Sequence, residues 1–161
     1  FDDFKKNECY VSLNYEYEKR NYDHSKDKSF YDHSTIDIGD EQFECAEILF
    51  NPIFGNLPKG IPQIIYDLIN ESYSEIQKEL AENIYLTGGT AQMKNFVTRI
   101  QNELDNMGSH LQFKVQMVPD PELASWRGAS KFGMIKNFTE MAISKEEYNL
   151  KHNDIIYKKS F

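Results

Sequence analysis

The stretch NIYLTGGT, residues 83–90, limits the possible fold more than any other part of the chain. A short apolar run stops at Gly88 and Gly89, and from Met93 onward apolar residues recur at steps of three and four. The first pattern is typical of a β-strand, and the second is typical of an amphipathic helix that ends near Gly108. Strands that alternate with helices in this way build α/β domains. We therefore expect an α/β fold.

The glycine pair has two interpretations that the residues alone leave open. Glycines at a strand end can bring bare backbone amides close to a ligand, because no side chain stands in the way. The sequence LTGGT, however, has neither the phosphate-loop pattern nor the GxGxxG fingerprint. A tight structural turn, with Thr90 capping the following helix, is the simpler interpretation.

Other segments predict further strands and helices around this unit. Alternation predicts a strand over 9–17, and the charged stretch 18–34 is typical of a surface loop. Residues 35–45 alternate on both sides of Gly39–Asp40, which predicts a β-hairpin turning there. Further along, a helix is predicted to begin at Ile61, and a half-exposed strand is predicted over 111–118. A second helix is predicted from Ser144, which forms a capping box with Glu147. Together these predict a mixed sheet flanked by helices.

Composition excludes several classes of function. The 161-residue chain carries a net charge of −8, which repels phosphate backbones and argues against direct nucleic-acid binding. It has no apolar run of the roughly 20 residues that a membrane span needs. Cys9 and Cys45 are predicted to be free, buried thiols in a reducing compartment. Because the chain begins with Phe1, we expect a fragment of a longer polypeptide. No catalytic set and no metal site can be placed by local signature, and His24 and His33 lie in the charged stretch.

The segment FNPIFGNLPKG, residues 50–60, combines turn residues with apolar ones. An apolar loop either packs back onto its own domain or contacts a partner. Composition favours packing onto its own domain, and both readings stay open.

Six short stretches of the chain are distinctive in sequence and order. They are CYVSLNYEYE, IDIGDEQFEC, NIYLTGGT, SWRGAS, MAISKEEY and IIYKKSF. Their counterparts occur in the same order in actins. The whole chain resembles the C-terminal portion of an actin or actin-like protein. This resemblance implies the actin-like ATPase fold, in which two ribonuclease-H-like domains clasp ATP and a divalent cation. Residues 1–140 would form the later part of the second large domain, and residues 141–161 a C-terminal helix and tail that pack on the missing first domain.

The resemblance also implies a nucleotide site. Four residues match positions beside adenosine in the family: Lys5, Gly88, Gly89 and Thr90. Three neighbouring positions depart from the family pattern. Lys6 replaces an acidic residue thought to hold the ribose, Met93 replaces an aromatic residue near the base, and Glu122 replaces a lysine that helps to cover it. We expect these departures to weaken or alter nucleotide contact.

The phosphate-binding and catalytic elements of the family lie earlier in its sequence. The full-length protein would bind ATP or ADP with Mg²⁺ or Ca²⁺, and it would be at most a slow ATPase. For this fragment alone we expect no cofactor, no metal and no catalytic residue, since phosphoryl transfer depends on groups that position the attacking water.

Two partner surfaces follow from the resemblance. The loop 50–60, with Phe54 and Leu57, matches a loop that actin uses between the strands of its filament. Phe132, Ile135 and Met141 match the apolar cleft that receives actin-binding proteins, although Lys131 stands where the family is usually aliphatic. The expected partners are other actin-like protomers or actin-binding proteins.

Two functional hypotheses remain. In the first, the full-length protein is a cytoplasmic, cytoskeletal actin-like protein that binds ATP and assembles into, or associates with, filaments. In the second, it is an actin-related scaffold subunit of a multiprotein complex, for example a nuclear chromatin-remodelling assembly, with little or no nucleotide turnover. The apolar loop 50–60 favours the first hypothesis, and the altered adenosine positions favour the second.

Overall fold

A computed structural model describes residues 7–32 and 34–159 of the chain. The chain divides into two compact units, one extending to Glu122 and the other beginning at Leu123.

In the first half of the first unit, the described residues form two helices of six or more residues and a pair of strands. Helix α1 spans Tyr15–Arg20, strands β1 and β2 span Lys28–Asp32 and Ser34–Ile38, and helix α2 spans Glu41–Glu47. The two strands pair antiparallel, with Lys28 opposite Ile38. Asn14 caps α1, because its side chain accepts a hydrogen bond from the Tyr17 amide.

The second half of the first unit contains the strand and helix that were predicted on either side of the glycine pair. Its helices are α3 (Ile61–Glu71), α4 (Ser74–Glu82) and α5 (Phe96–Asp105), and its strands are β3 (Ile84–Leu86) and β4 (Val115–Met117). Strands β3 and β4 pair parallel, with Ile84 opposite Val115. The described strands thus form one antiparallel and one parallel pair in two separate sheets, accompanied by helices. The predicted mixture of helices and strands is confirmed, but the described strands do not join in the single mixed sheet that was predicted.

The hydrophobic core of the first unit lies around α5. Apolar residues recur along α5 at the helical spacing, so that one face of the helix is shielded from water. Phe96, Ile100 and Leu104 of this face are buried against residues of the neighbouring elements. The other buried members of the cluster are Val11, Ala46, Ile69, Ala81, Phe113 and Val115.

The second unit is helical and exposes most of its apolar side chains. It contains α6 (Ala124–Gly133), α7 (Phe138–Met141), α8 (Lys145–Lys151) and α9 (Asn153–Lys159). The predicted capping box is confirmed: the Ser144 hydroxyl accepts from the Glu147 amide at 3.1 Å, and the Glu147 carboxylate accepts from the Ser144 amide at 3.0 Å. Among the described helices of the whole chain, none has the length and apolarity required to cross a bilayer.

The strand predicted over 9–17 is wrong. The backbone there makes one isolated bridge, between Tyr10 and Lys94, and then turns into helix α1. The alternating pattern was misleading because Asn14 caps the helix in the middle of it. A strand would have placed Leu13 and Tyr17 on the same face as Val11, which is buried, but they are 46% and 68% exposed.

The hairpin predicted over 35–45 lies earlier in the chain. Strand β1 falls inside the stretch that was predicted to be a loop, and the residues after Gly39–Asp40 form helix α2. Asp40 has helical backbone angles, with φ −68° and ψ −12°, and does not reverse the chain. The segment EQFECAE is helical because its buried positions come in adjacent pairs four residues apart, Gln42 with Phe43 and Ala46 with Glu47.

Two smaller expectations also change. Cys9 is buried as predicted, but Cys45 lies on α2 outside that helix's buried positions, and it is exposed. The strand predicted over 111–118 is limited to β4. Phe113 and Val115 are buried as the alternation required, but Met117, predicted to face inward with them, is 44% exposed.

Candidate functional site

The turn that follows β3 is anchored on one side and open on the other. The Gly88 amide donates a hydrogen bond to the Pro121 carbonyl at 2.8 Å, and the Thr87 hydroxyl donates to the same oxygen at 3.0 Å. Gly88 has φ +91° and ψ 164°, a backbone conformation that is essentially restricted to glycine. A Cβ atom at Gly88 would have no heavy atom within 4 Å. The backbone on this side of the turn is therefore accessible to a ligand.

Thr90 does not cap the long helix, contrary to the simpler interpretation of the sequence. It lies inside a one-turn 3₁₀ helix, Gly89–Gln92, and α5 begins only at Phe96. Asn95 precedes α5 with φ +68°, and its side-chain amide donates to the Val11 carbonyl at 3.1 Å. Gly89 and Thr90 themselves are exposed.

Residues from two other segments border this turn. A Cβ atom at Gly89 would lie 3.7 Å from a carboxylate oxygen of Glu122, so the negative charge is adjacent to the glycine pair. Met93 is partly buried and packs against the core cluster. The structure thus brings Gly88, Gly89 and Thr90 together with Glu122, whereas Lys5 and Lys6 lie outside the described residues.

Replacement of Gly88 by alanine should strain this turn. An alanine would have to adopt φ +91°, which costs about 1–3 kcal/mol of folding stability for a residue with a side chain. Gly89→Ala is the matched control, because its added Cβ would meet only ordinary contacts with Glu122. Urea unfolding of the two variants checks this prediction, and equal losses of stability would contradict it.

The loop 50–60 divides into a packed part and an exposed part. Phe50 packs on the ring of Phe96, with a centroid separation of 5.7 Å, so the start of the loop belongs to the core. The rest presents Ile53, 83% exposed, and Leu57, 48% exposed. Phe54 lies between them in the 3₁₀ turn Pro52–Gly55. Each interpretation of this loop thus fits a different part of it.

The residues predicted to line the apolar cleft lie in the second unit. Phe132 and Ile135 are 45% and 43% exposed, Met141 is partly exposed, and Lys131 is exposed as well. The ring of Phe132 meets that of Phe138 edge to face, with centroids 5.7 Å apart. These apolar side chains of the second unit are thus at least partly exposed to solvent. Their role in binding a partner stays a prediction.

A buried ion pair in the first unit was missed by the sequence reasoning. The Arg99 guanidinium reaches Glu47 at 3.0 Å and Glu103 at 2.6 Å, and it donates to the Ser12 carbonyl. It also lies over the Phe50 ring, 4.8 Å from its centroid. Burial raises the pKa of the Glu47 carboxyl above its ordinary value, while Arg99 opposes that shift. The only sequence signal was an arginine next to Ile100 on the apolar face of a helix.

Comparison with known proteins found a family and a relative that match the chain over nearly its whole length. The family model described as "Actin" matches residues 1–161. A curated protein of Dictyostelium discoideum, described as "Putative actin-29", is 36% identical over 169 aligned residues. The alignment covers 99% of this chain and 44% of that relative. The chain thus spans less than half the length of the curated relative that it matches.

Proposed function

Because the chain belongs to the actin family, we propose that its full-length protein binds ATP with Mg²⁺ or Ca²⁺ and assembles into, or associates with, filaments. The observation that carries this proposal is the open turn at Gly88, whose backbone a ligand can approach closely. In this proposal Lys5, Gly88, Gly89 and Thr90 contact the adenosine end of the nucleotide. The remaining contacts, including the groups that order the cation and the attacking water, come from sequence outside this chain.

The architecture in this proposal is the two-domain clasp of the family. Residues 1–140 form the later part of a ribonuclease-H-like second domain, and residues 141–161 pack on the first domain. This arrangement gives the exposed apolar residues after position 140, among them Leu150 and Tyr157, a partner within the same protein. In this proposal the full-length protein hydrolyses bound ATP slowly. Its proposed location is the cytoplasmic cytoskeleton.

A second candidate is an actin-related scaffold subunit with an idle nucleotide site, in a nuclear or a cytoplasmic complex. One observation favours it: the Glu122 carboxylate is adjacent to the glycine turn. A negative charge there repels the phosphates of a nucleotide and offers no replacement for the lysine that resemblance places at this position. Loss of nucleotide binding would leave the apolar surfaces as the functional part of the protein.

Calorimetric titration of the full-length protein with ATP and Mg²⁺ separates the two candidates. We expect measurable binding, and we expect Glu122→Lys to tighten it about fivefold, which corresponds to about 1 kcal/mol. Glu79→Lys, the same charge change at an exposed position of α4, is the control and should leave the affinity unchanged. No binding by either the natural protein or the Glu122→Lys protein would favour the scaffold.

Sedimentation provides the second readout. Filament assembly predicts that the purified full-length protein pellets at high speed in an ATP-dependent manner. A scaffold subunit would instead purify at fixed stoichiometry with other proteins and would stay in the supernatant under the same conditions.

A further inference from the structure

An open cleft of about 420 Å³ lies beside helix α1, and the glycine turn does not line it. Its lining includes three tyrosines, Tyr10, Tyr17 and Tyr22, and two carboxylates, Glu18 and Asp23. The volume is within the range of small-ligand sites, roughly 300–1,000 Å³. The combination of several aromatic rings with negative charge and few aliphatic groups is what makes this cleft chemically specific.

The walls of the cleft are held in place by packing. The Tyr10 hydroxyl donates to a Glu18 carboxylate oxygen at 2.6 Å, which fixes the ring and the charge next to each other. The rings of Tyr10 and Tyr22 both pack on Phe43, each with a centroid separation of 5.7 Å. Tyr17, on α1, is 68% exposed and has room to contact a ligand.

No basic side chain is among the described residues that line this cleft. The two cations of α1 are engaged elsewhere. Lys19 pairs with Asp40 and lies 2.7 Å from Glu44, and Arg20 lies 3.4 Å from Glu16 on the exposed side of the helix. The described side chains that line the cleft therefore contribute negative charge and no positive charge.

These features match the recognition of an organic cation. The faces of aromatic rings attract ammonium groups electrostatically, and methylated ammonium groups are recognised in this way because their charge is only weakly hydrated. The Glu18 carboxylate adds a direct attraction. We propose that this cleft binds an alkylammonium group, with quaternary ammonium preferred. This proposal is independent of nucleotide binding.

Titration of the full-length protein with choline, followed by NMR or calorimetry at constant ionic strength, tests the proposal. The comparison ligand is 3,3-dimethyl-1-butanol, which has the shape of choline without its charge. We expect choline to bind at least about threefold more tightly than the neutral alcohol, because cation–π attraction requires the charge. Equal affinity for the two ligands, or no detectable binding of choline, would overturn the proposal.

Single substitutions place the binding in this cleft. Tyr17→Leu retains apolar contact but removes a ring face, and it should weaken choline binding about three- to fivefold. Tyr73→Leu, at an 82% exposed tyrosine outside the cleft, should have no effect. Glu18→Gln should also weaken binding, because it removes one negative charge. If the Tyr17 and Tyr73 variants bind choline equally well, the assignment to this cleft is wrong.

A third ligand distinguishes the source of the ammonium group. Acetyl-trimethyllysine amide carries the same head group on a peptide-like backbone. Tighter binding of this compound than of choline would identify a protein side chain as the natural ligand, and equal binding would identify a small free amine. Both results support the proposal when the neutral alcohol binds more weakly. ATP titration of the same samples shows separately whether the nucleotide site is intact.

Discussion

We expect Arg99→Leu to lower the free energy of unfolding by about 3–5 kcal/mol, the largest effect of any substitution considered for this chain. The Arg99 and Glu47 side chains are only 8% and 4% exposed. The variant therefore leaves a buried carboxylate without its main partner. It also leaves the Ser12 carbonyl without a donor that it has in the natural protein. Urea unfolding of the full-length protein, followed by circular dichroism, measures the loss.

The acid dependence of this variant gives a second check. Without Arg99, the pKa of Glu47 in the folded state should stand further above its ordinary value of 4.5. The folded state then holds more protons than the unfolded state, so stability falls as pH rises. The deficit should accordingly be larger near about pH 7.5 than near about pH 5.5. A loss that does not depend on pH would show that Glu47 is not the group left unpaired.

Two controls separate burial from charge in this experiment. Arg20→Leu removes an arginine whose ion pair with Glu16 is 78% and 69% exposed, and it should cost less than about 0.5 kcal/mol. The double variant Arg99→Leu with Glu47→Leu removes both buried charges and should be less destabilised than the sum of the two single variants. Additive losses would mean that the two side chains are not coupled.

Gly60→Ala should destabilise the first unit by about 3 kcal/mol, which is near the upper end for overpacking. Gly60 directly precedes α3, and a Cβ atom there would lie 2.2 Å from the carbonyl oxygen of Phe50. The backbone has to move to relieve this clash, because no side-chain rotation can do so. The adjacent hydrogen bond, from the Ile61 amide to the Leu49 carbonyl at 2.8 Å, should weaken at the same time. Thermal unfolding of the full-length protein checks the loss.

Gly55→Ala is the matched control in the same loop. A Cβ atom there would also be too close to a neighbour, at 2.6 Å, but the neighbour is the terminal methyl group of Ile48. A side-chain end can rotate away, so this variant should lose clearly less stability than Gly60→Ala. If Gly55→Ala is the more harmful of the two, the loop does not have the backbone approach described for it.

Sequence reasoning was most successful where one physical signal acted alone. The apolar face of α5 was predicted from its periodicity, and Ser144 with Glu147 was predicted from the capping box. Both patterns depend on residues within two turns of each other, which a sequence displays directly. The turn at Gly88 was located for the same reason, since a glycine pair that ends an apolar run marks a place where the backbone can adopt conformations closed to other residues.

The sequence-based predictions failed where a local pattern fitted two structures, or where contacts between residues far apart in the chain determined the structure. Residues 9–17 alternate as a strand does, yet Asn14 can cap a helix, and the sequence does not reveal which tendency prevails. The buried pair of Arg99 with Glu47 joins residues 52 positions apart. The cleft beside α1 depends on the helix that was missed, because the strand interpretation placed Tyr17 on the same face as Val11. Family resemblance supplied the identity of the candidate site, which neither spacing nor periodicity contains.

The contacts made by the segment 10–12 also bear on the order of folding. Asn95 donates to the Val11 carbonyl across 84 positions, and Arg99 donates to the Ser12 carbonyl across 87. Closing so large a loop costs chain entropy before any contact compensates for it. The elements from α3 to β4 make contacts with one another that are closer in sequence. We expect them to form an early intermediate in which one face of α5 is still exposed to solvent. Docking of residues 10–12 would then be the late step that excludes solvent from this face of α5. Pulsed hydrogen exchange should detect this step as slow protection of the Val11 amide.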